Sequence, residues 1–112
     1  MNTVRNRVQL IGNLGSAPEI KTLEGGKKMA KLNIATHESY KNQKGEWIKD
    51  TTWHNVTAWG NNADIAEKLL KGAEVAIEGK LSNNSYTDKE GIKRFVVNIE
   101  VSEFIMLSKK AD

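Results

Sequence analysis

The sequence predicts an all-β domain of five strands, with one short α-helix between the third and fourth strands. Over most of the chain apolar residues recur at every second position, the period of a strand with one buried face. A single segment changes to apolar residues three and four positions apart, the period of a helix. At 112 residues, the chain has the length of one domain with one modest core.

Alternation predicts the first two strands. From Val4 to Leu14 the even positions are mostly apolar and the odd positions mostly polar. Residues 15–28 hold the single proline and a Gly-Gly pair, which predict a long loop or ribbon. The second strand follows from about Met29 to Tyr40. We predict that the basic segment Lys41 to Lys49 forms a loop.

The third strand, Asp50 to Gly60, carries the most informative pattern. Trp53 and Trp59 share a strand face with polar residues, whereas Val56 and Ala58 take the other face. Tryptophan is enriched where an apolar ring meets a wet partner, so this face suggests a platform for flat ligands such as nucleobases. The alternative is that one or both rings are ordinary core residues.

The rest of the chain supplies the helix and two more strands. Residues 62–71 form an amphipathic pattern that ends at a glycine, which predicts the helix. The fourth strand is predicted from Ala73 to Leu81 and the fifth near Phe95 to Val101, each with its odd-numbered apolar residues on one face. Between them, Ser82 to Arg94 is predicted to protrude as a hairpin with T-D-K-E-G at its turn.

Three strands, a helix and two strands in this order outline an OB-fold, a five-stranded, partly open Greek-key barrel. Such a barrel binds ligands on the face of its second and third strands. We expect that face to carry Tyr40, Trp53 and Trp59, and the neighbouring hairpin to carry Tyr86. The aromatic residues therefore converge on the expected groove.

Charge is distributed unevenly. The first 60 residues hold nine Lys and Arg against five Asp and Glu, and the remaining residues hold eight against nine. Basic residues interleaved with aromatic rings are typical of a groove that follows phosphates and stacks bases. The alternative is an ordinary solvated surface.

The composition also excludes several classes of protein. There is no cysteine, hence no disulfide framework and no thiolate zinc site. No apolar run suits a signal peptide or a membrane span, so we expect a cytoplasmic, nucleoid-associated protein without membrane contact. Two histidines and scattered carboxylates give neither metal-ligand spacing nor a catalytic set. We predict no enzyme activity, no metal and no cofactor.

Five segments in order resemble the bacterial single-stranded DNA-binding proteins of the replication type. They cover almost the whole chain and read N-R-V-Q-L-I-G-N-L-G with A-P-E, A-T-H-E-S-Y, T-W-H-N-V-T-A-W-G, A-E-V-A-I-E-G-K-L and S-Y-T-D-K-E-G. The resemblance implies an OB-fold that binds single-stranded DNA without sequence preference in replication, recombination and repair. It also implies a homotetramer, with a dimer as the alternative.

The resemblance places base stacking on four residues: Tyr40, Trp53, Trp59 and Tyr86. Trp47 is a further candidate from the basic segment. The expected contacts to the DNA backbone are Arg7, Lys21, Lys41, Lys44, Lys49 and Lys71. Asn55 belongs to the predicted interface although basic residues are common at its position, and the S-N-N-S approach to the hairpin has lost its usual positive charges. His54, on the other strand face, is placed at the subunit contact.

We expect residues 1–108 to form the DNA-binding domain and residues 109–112 a short end without an acidic tail. Recruitment of partner enzymes through such a tail is therefore not predicted. Three other interpretations stay open: a primosomal accessory protein of the same ancestry, an RNA-binding OB domain, and a structural oligomer with incidental surface rings.

Overall fold

The computed structural model describes residues 5–108, which form six strands and one α-helix. The strands are β1 (Val8–Leu14), β2 (Glu19–Thr22), β3 (Lys28–Lys41), β4 (Trp47–Trp59), β5 (Glu74–Thr87) and β6 (Lys93–Ser108). The helix α1 spans Asn61–Glu67, and a 3-10 turn spans Glu24–Gly26. Val4 and residues 109–112, which carried sequence predictions, lie outside the described residues.

The strands form a closed barrel in the order β1-β5-β6-β4-β3-β2. Closure comes from β1, which pairs with β5 along its length and with β3 at Asn13 and Leu14. β4 and β6 run parallel and pair at Val56–Ile99 and Thr57–Glu100. The predicted five-stranded barrel with a helix between its third and fourth strands is confirmed. The short strand β2, within the predicted loop or ribbon, adds to it by pairing with β3.

The barrel interior is filled by the inward positions that alternation predicts. Ala30, Leu32 and Ile34 of β3 are buried, as are Val75 and Ile77 of β5. One end is covered by α1, whose Ala63 and Ala66 are fully buried together with Leu69 beyond the helix end. These side chains exclude water from the barrel, so ligands must bind outside it.

The helix is anchored to β3 by an ion-pair cluster. Lys28 Nζ donates a 2.8 Å hydrogen bond to Glu67 and lies 2.9 Å from an Asp64 carboxylate oxygen. The hydrogen bond to Glu67 and then that to Asp64 raise the pKa of Lys28 above its usual value. Gly60, the residue after Trp59, donates its N–H to the Lys28 carbonyl. The cluster therefore lies beside Trp59 and holds that end of the barrel in place.

Two long ribbons project from the barrel, and they correct one prediction. The β3–β4 ladder continues without interruption to Lys41–Trp47, so Lys41 and residues 47–49 belong to strands and only residues 42–46 turn. Asn42 Oδ1 accepts hydrogen bonds from the N–H groups of Lys44 and Glu46, and Gly45 has a positive φ of 80°. The Asn42 side chain satisfies the N–H groups of a tight turn, so the ladder can continue almost to the tip of the ribbon and no long loop is needed.

The β5–β6 ribbon, the predicted hairpin, has an equivalent turn over residues 88–92. Asp88 Oδ1 accepts from the N–H groups of Glu90 and Ile92. The apolar faces predicted for the fourth and fifth strands are not buried along this ribbon. Phe95 is 71% exposed, and Val97 and Leu81 are exposed as well. Alternation continues there, but the ribbon has left the barrel and its inner face has no core to cover.

Candidate nucleic-acid interface

One continuous side of the two ribbons and the barrel forms what we call the groove face. It consists of the odd positions of β3 and β4 and, along the β5–β6 ribbon, the even positions from Ser82 to Tyr86 and from Arg94 to Asn98. Cross-strand pairs place Met29 beside Trp59 and Ala35 beside Trp53. The two halves meet where Thr57 Oγ1 donates a buried 3.0 Å hydrogen bond to Asn98 Oδ1. Side chains from both ribbons therefore face the same side.

Trp53 lies at the centre of this face and is 61% exposed. Its ring rests against Gly15, the residue after β1, so closely that a Cβ atom on Gly15 would lie 2.4 Å from Trp53 Cζ3. The absent side chain of Gly15 thus leaves the space that the indole occupies. One side of the ring is supported by backbone, while the exposed remainder is available for stacking.

Trp59 lies at the barrel end of the groove face and is half-buried. Lys27 Nζ sits 4.7 Å from the centroid of its ring, within the range of a cation–π contact. A cavity of about 390 Å³ adjoins the ring and is also lined by Arg5 and Arg7. Neither Trp53 nor Trp59 is a core residue, which removes that alternative. Lys27 was not among the predicted contacts, although its position in a basic first half was a signal.

Trp47 and Tyr86 extend the groove face along the two ribbons, toward their tips. Trp47 is 71% exposed and has Lys41 as its cross-strand partner, with Nζ 6.0 Å from the ring centroid. Tyr86 is exposed and pairs with Arg94 on the even side of β5 and β6. Lys49 has the same strand parity as Trp47 and therefore the same facing.

Tyr40 does not share this face, contrary to our expectation. It pairs with Ile48, so its exposed ring lies on the side of His54 and Val56 rather than that of Trp53. The physical reason is parity, because an uninterrupted ladder keeps even and odd positions on opposite sides. A strand that stacks on Tyr40 would have to cross the edge of the ribbon.

The predicted backbone contacts differ in availability. Lys21 lies in one row with Met29 and Trp59, and Lys44 is exposed in the ribbon turn. Arg7, by contrast, is engaged in an ion pair with Glu78. Lys71 precedes Gly72, whose N–H donates to the Leu14 carbonyl next to Gly15 and hence near Trp53. Asn55 lies on the groove face opposite Asn33.

His54 faces away from the groove, as predicted. It is half-buried, pairs with Ile34, and its Nε2 forms a 2.9 Å hydrogen bond with Thr36 Oγ1. The bond fixes the imidazole against β3. Contact with a second subunit stays a prediction.

With this geometry in view, a sequence profile described as the single-strand binding protein family matches residues 5–107. The chain belongs to the single-strand binding protein family. The match spans nearly every described residue and includes both ribbons. Members of this family are DNA-binding proteins rather than enzymes, in agreement with the sequence prediction.

Individual relatives agree. The chain is 39% identical over 109 residues to single-stranded DNA-binding protein 1 of Xylella fastidiosa, covering 96% of this chain and 80% of the relative. It is 36% identical over 103 residues to the single-stranded DNA-binding protein of Neisseria meningitidis, covering 91% of this chain and 59% of the relative. The chain thus spans between about three-fifths and four-fifths of these relatives.

Solved structures share the fold. A Plasmodium falciparum SSB in complex with ssDNA superposes with a TM-score of 0.84 at 30% identity, covering 92% of this chain and 95% of that one. A single-stranded DNA binding protein from Thermus aquaticus, crystallised as a deletion mutant, gives a TM-score of 0.78 at 26% identity, covering 94% and 51%. Both confirm the OB-fold barrel.

Two further features bear on the class of site. Among residues 5–108, no group of three His, Cys, Asp or Glu side chains is placed to hold a metal ion. Within the same residues, no helix has the length and apolar character needed to cross a membrane.

Proposed function

We propose that this protein binds single-stranded DNA by stacking unpaired bases on the rings of the groove face, while nearby lysines contact phosphates. The observation that carries the proposal is the exposure of Trp47, Trp53 and Tyr86 on one side of a closed barrel. Stacking uses the π-face that every base has, so it tolerates any sequence. Such binding would protect and organise DNA during replication, recombination and repair, in the cytoplasm at the nucleoid.

We also propose that the chain assembles with itself, as a homotetramer or a dimer. Ile11, Ala76 and Ile105 form a row across the outer face of β1, β5 and β6, and both isoleucines are exposed. Among the described residues β1 pairs with β3 only at its last positions, so the edge from Val8 to Gly12 has free backbone groups. An apolar row beside a free edge supports pairing with a second copy.

The decisive experiment is a titration of tryptophan fluorescence with oligo-dT, oligo-U and duplex DNA at several salt concentrations. We expect strong quenching by oligo-dT, weaker effects of RNA and duplex, and a salt slope that steepens by about −0.7 for each phosphate neutralised. Equal quenching by oligo-U would favour an RNA-binding OB domain. Unchanged emission with every nucleic acid would leave only a structural oligomer.

Ring-specific variants separate stacking from general attraction. Trp53→Ala and Trp59→Ala should each weaken oligo-dT binding by about 1–3 kcal/mol without unfolding the barrel. Phe95→Ala is the control for loss of an exposed ring, because Phe95 lies on the opposite side of the ribbon from Tyr86 and Arg94. Affinity should be measured by anisotropy of labelled DNA, since the variants lose the intrinsic signal. Loss of affinity in the control alone would contradict the proposed face.

A further inference from the structure

Between Trp53 and Trp59 the groove face contains a cavity that stacking does not use. It lies where β4 and β6 diverge beyond their short parallel pairing, and its volume is about 380 Å³. Four amide side chains line it, together with Thr57 and Lys31: Asn33, Asn55, Asn84 and Asn98. Ligand sites of about 300–1,000 Å³ are usual, so this cavity has room for a nucleobase.

The amides of this cavity have unused hydrogen-bonding capacity. Asn98 is buried, and its Oδ1 accepts from Thr57, which leaves its NH₂ group to donate. Asn33 and Asn55 are direct cross-strand partners, and Asn84 faces them from β5. Within residues 5–108 the side chains of these three form no hydrogen bond to another protein group. The site therefore presents both donors and acceptors to a ligand.

The charge of the lining indicates which part of DNA would bind here. Lys31 is the one charged residue among the side chains that line this cavity, and no carboxylate is present in that lining. Asn and Thr side chains can also contact phosphate oxygens, but a single lysine gives this cavity little positive charge to attract a phosphate. Neutral amides instead suit the edges of bases, because both present a hydrogen-bond donor next to an acceptor.

We propose that the amide cavity holds one unpaired adenine of a bound strand by its hydrogen-bonding edge. An asparagine amide forms a bidentate pair with adenine, its oxygen accepting from the 6-amino group and its NH₂ donating to the neighbouring ring nitrogen. The inference rests on the proposed binding of single-stranded DNA and deepens it. Stacking on the flanking rings stays tolerant of sequence, while this position adds a base preference.

The test uses dT oligonucleotides of about 16 nucleotides, the upper site size of one OB-fold. One central thymine is replaced by adenine, by purine without the 6-amino group, by cytosine or by guanine. We expect the adenine oligonucleotide to bind about 5-fold tighter than the purine one, the lower end of the discrimination that a bidentate pair provides. Equal affinities overturn the proposal. A gain with cytosine or guanine that equals the gain with adenine overturns the assignment of adenine.

Neighbouring asparagines provide a matched pair of variants. Asn84→Leu should abolish the adenine preference, whereas Asn83→Leu should keep it, because Asn83 pairs with Val97 on the opposite face of the same ribbon. Persistence of the preference in Asn84→Leu overturns the proposal. If unmodified oligo-dT does not bind the wild-type protein, the failure lies in the proposed function and not in the base preference.

Discussion

At the scale of single residues, Gly15 determines how Trp53 meets the groove. A side chain added at position 15 would meet the far end of the Trp53 indole. The ring can move aside, so the substitution would not displace backbone. A larger residue at position 15 would therefore act on the platform rather than on the fold. This makes Gly15 part of the proposed interface although it has no side chain to offer to the DNA.

We predict that Gly15→Ala weakens oligo-dT binding by about 1–2 kcal/mol, a large share of the ~1–3 kcal/mol that stacking of one base contributes. The added Cβ would lie 2.4 Å from Trp53 Cζ3, which forces the ring to move. Tryptophan emission of the free protein should shift as well, and thermal unfolding should change little. Ser16→Ala serves as the control because Ser16 is exposed and already carries a Cβ. Unaltered emission and affinity in Gly15→Ala would disprove the coupling.

At the scale of elements, the two ribbons end in the same device: an Asn or Asp, two residues, and a glycine three positions later. Asn42 with Gly45 and Asp88 with Gly91 share this spacing, and both glycines have φ near 80°. Only in the second ribbon is the side chain that accepts from the turn N–H groups titratable: Asp88, which also accepts a 2.9 Å hydrogen bond from Arg94 Nε. The ribbon tips should therefore differ in their response to acid.

The pKa of Asp88 lies below its usual value, first because of the hydrogen bond from the Ile92 N–H and then because of the one from Arg94. A carboxylate with a lowered pKa stabilises its turn above the ordinary value and loses that contribution as pH falls through the lowered one. We expect the β5–β6 tip to loosen below about pH 4, seen as an amide shift change at Ile92 by NMR. Asp88→Asn keeps the acceptor without titrating, so its shifts should stay constant. The same transition in that variant would refute the assignment.

The elements also mark what sequence patterns could and could not predict. Period-two alternation located the barrel strands because burial and parity coincide there, as at Leu32 and Val56. It failed at Phe95, because parity persists on a ribbon after the core has ended. Tyr40 was misplaced by the expected OB-fold groove and the family resemblance, because its even position puts it on the side of Leu32 and Ile34 and away from the groove. Register depends on where the turn begins, which the basic segment did not reveal.

Some candidate contacts to DNA were predictable from the sequence and others were not. Trp53 and Trp59 were predictable because two rings that share a strand face with polar residues are poorly suited to a core and well suited to a wet partner. Lys27 over Trp59 and the engagement of Arg7 by Glu78 depend on residues far apart in sequence, so only three-dimensional packing brings them together. The amide cavity is lined by residues from β3, β4, β5 and β6, so no local sequence pattern could predict it.

At the scale of the whole molecule, the apolar row outside the barrel predicts the assembly state. Ile11→Glu should reduce the mass measured by light scattering to that of one chain, because a charge would have to be buried where Ile11 now offers apolar surface. Ile65→Glu is the control, since Ile65 is an exposed isoleucine on α1. If both variants keep the wild-type mass, the row is not the interface.

The short pairing of β4 with β6 has a topological consequence. The aromatic rings lie on an outside surface beside that junction and not within a closed channel. A DNA strand can therefore bind from the side, along its length. No free end has to be threaded through the protein. Loading should therefore proceed equally well on a covalently closed circle and on a gap flanked by duplex.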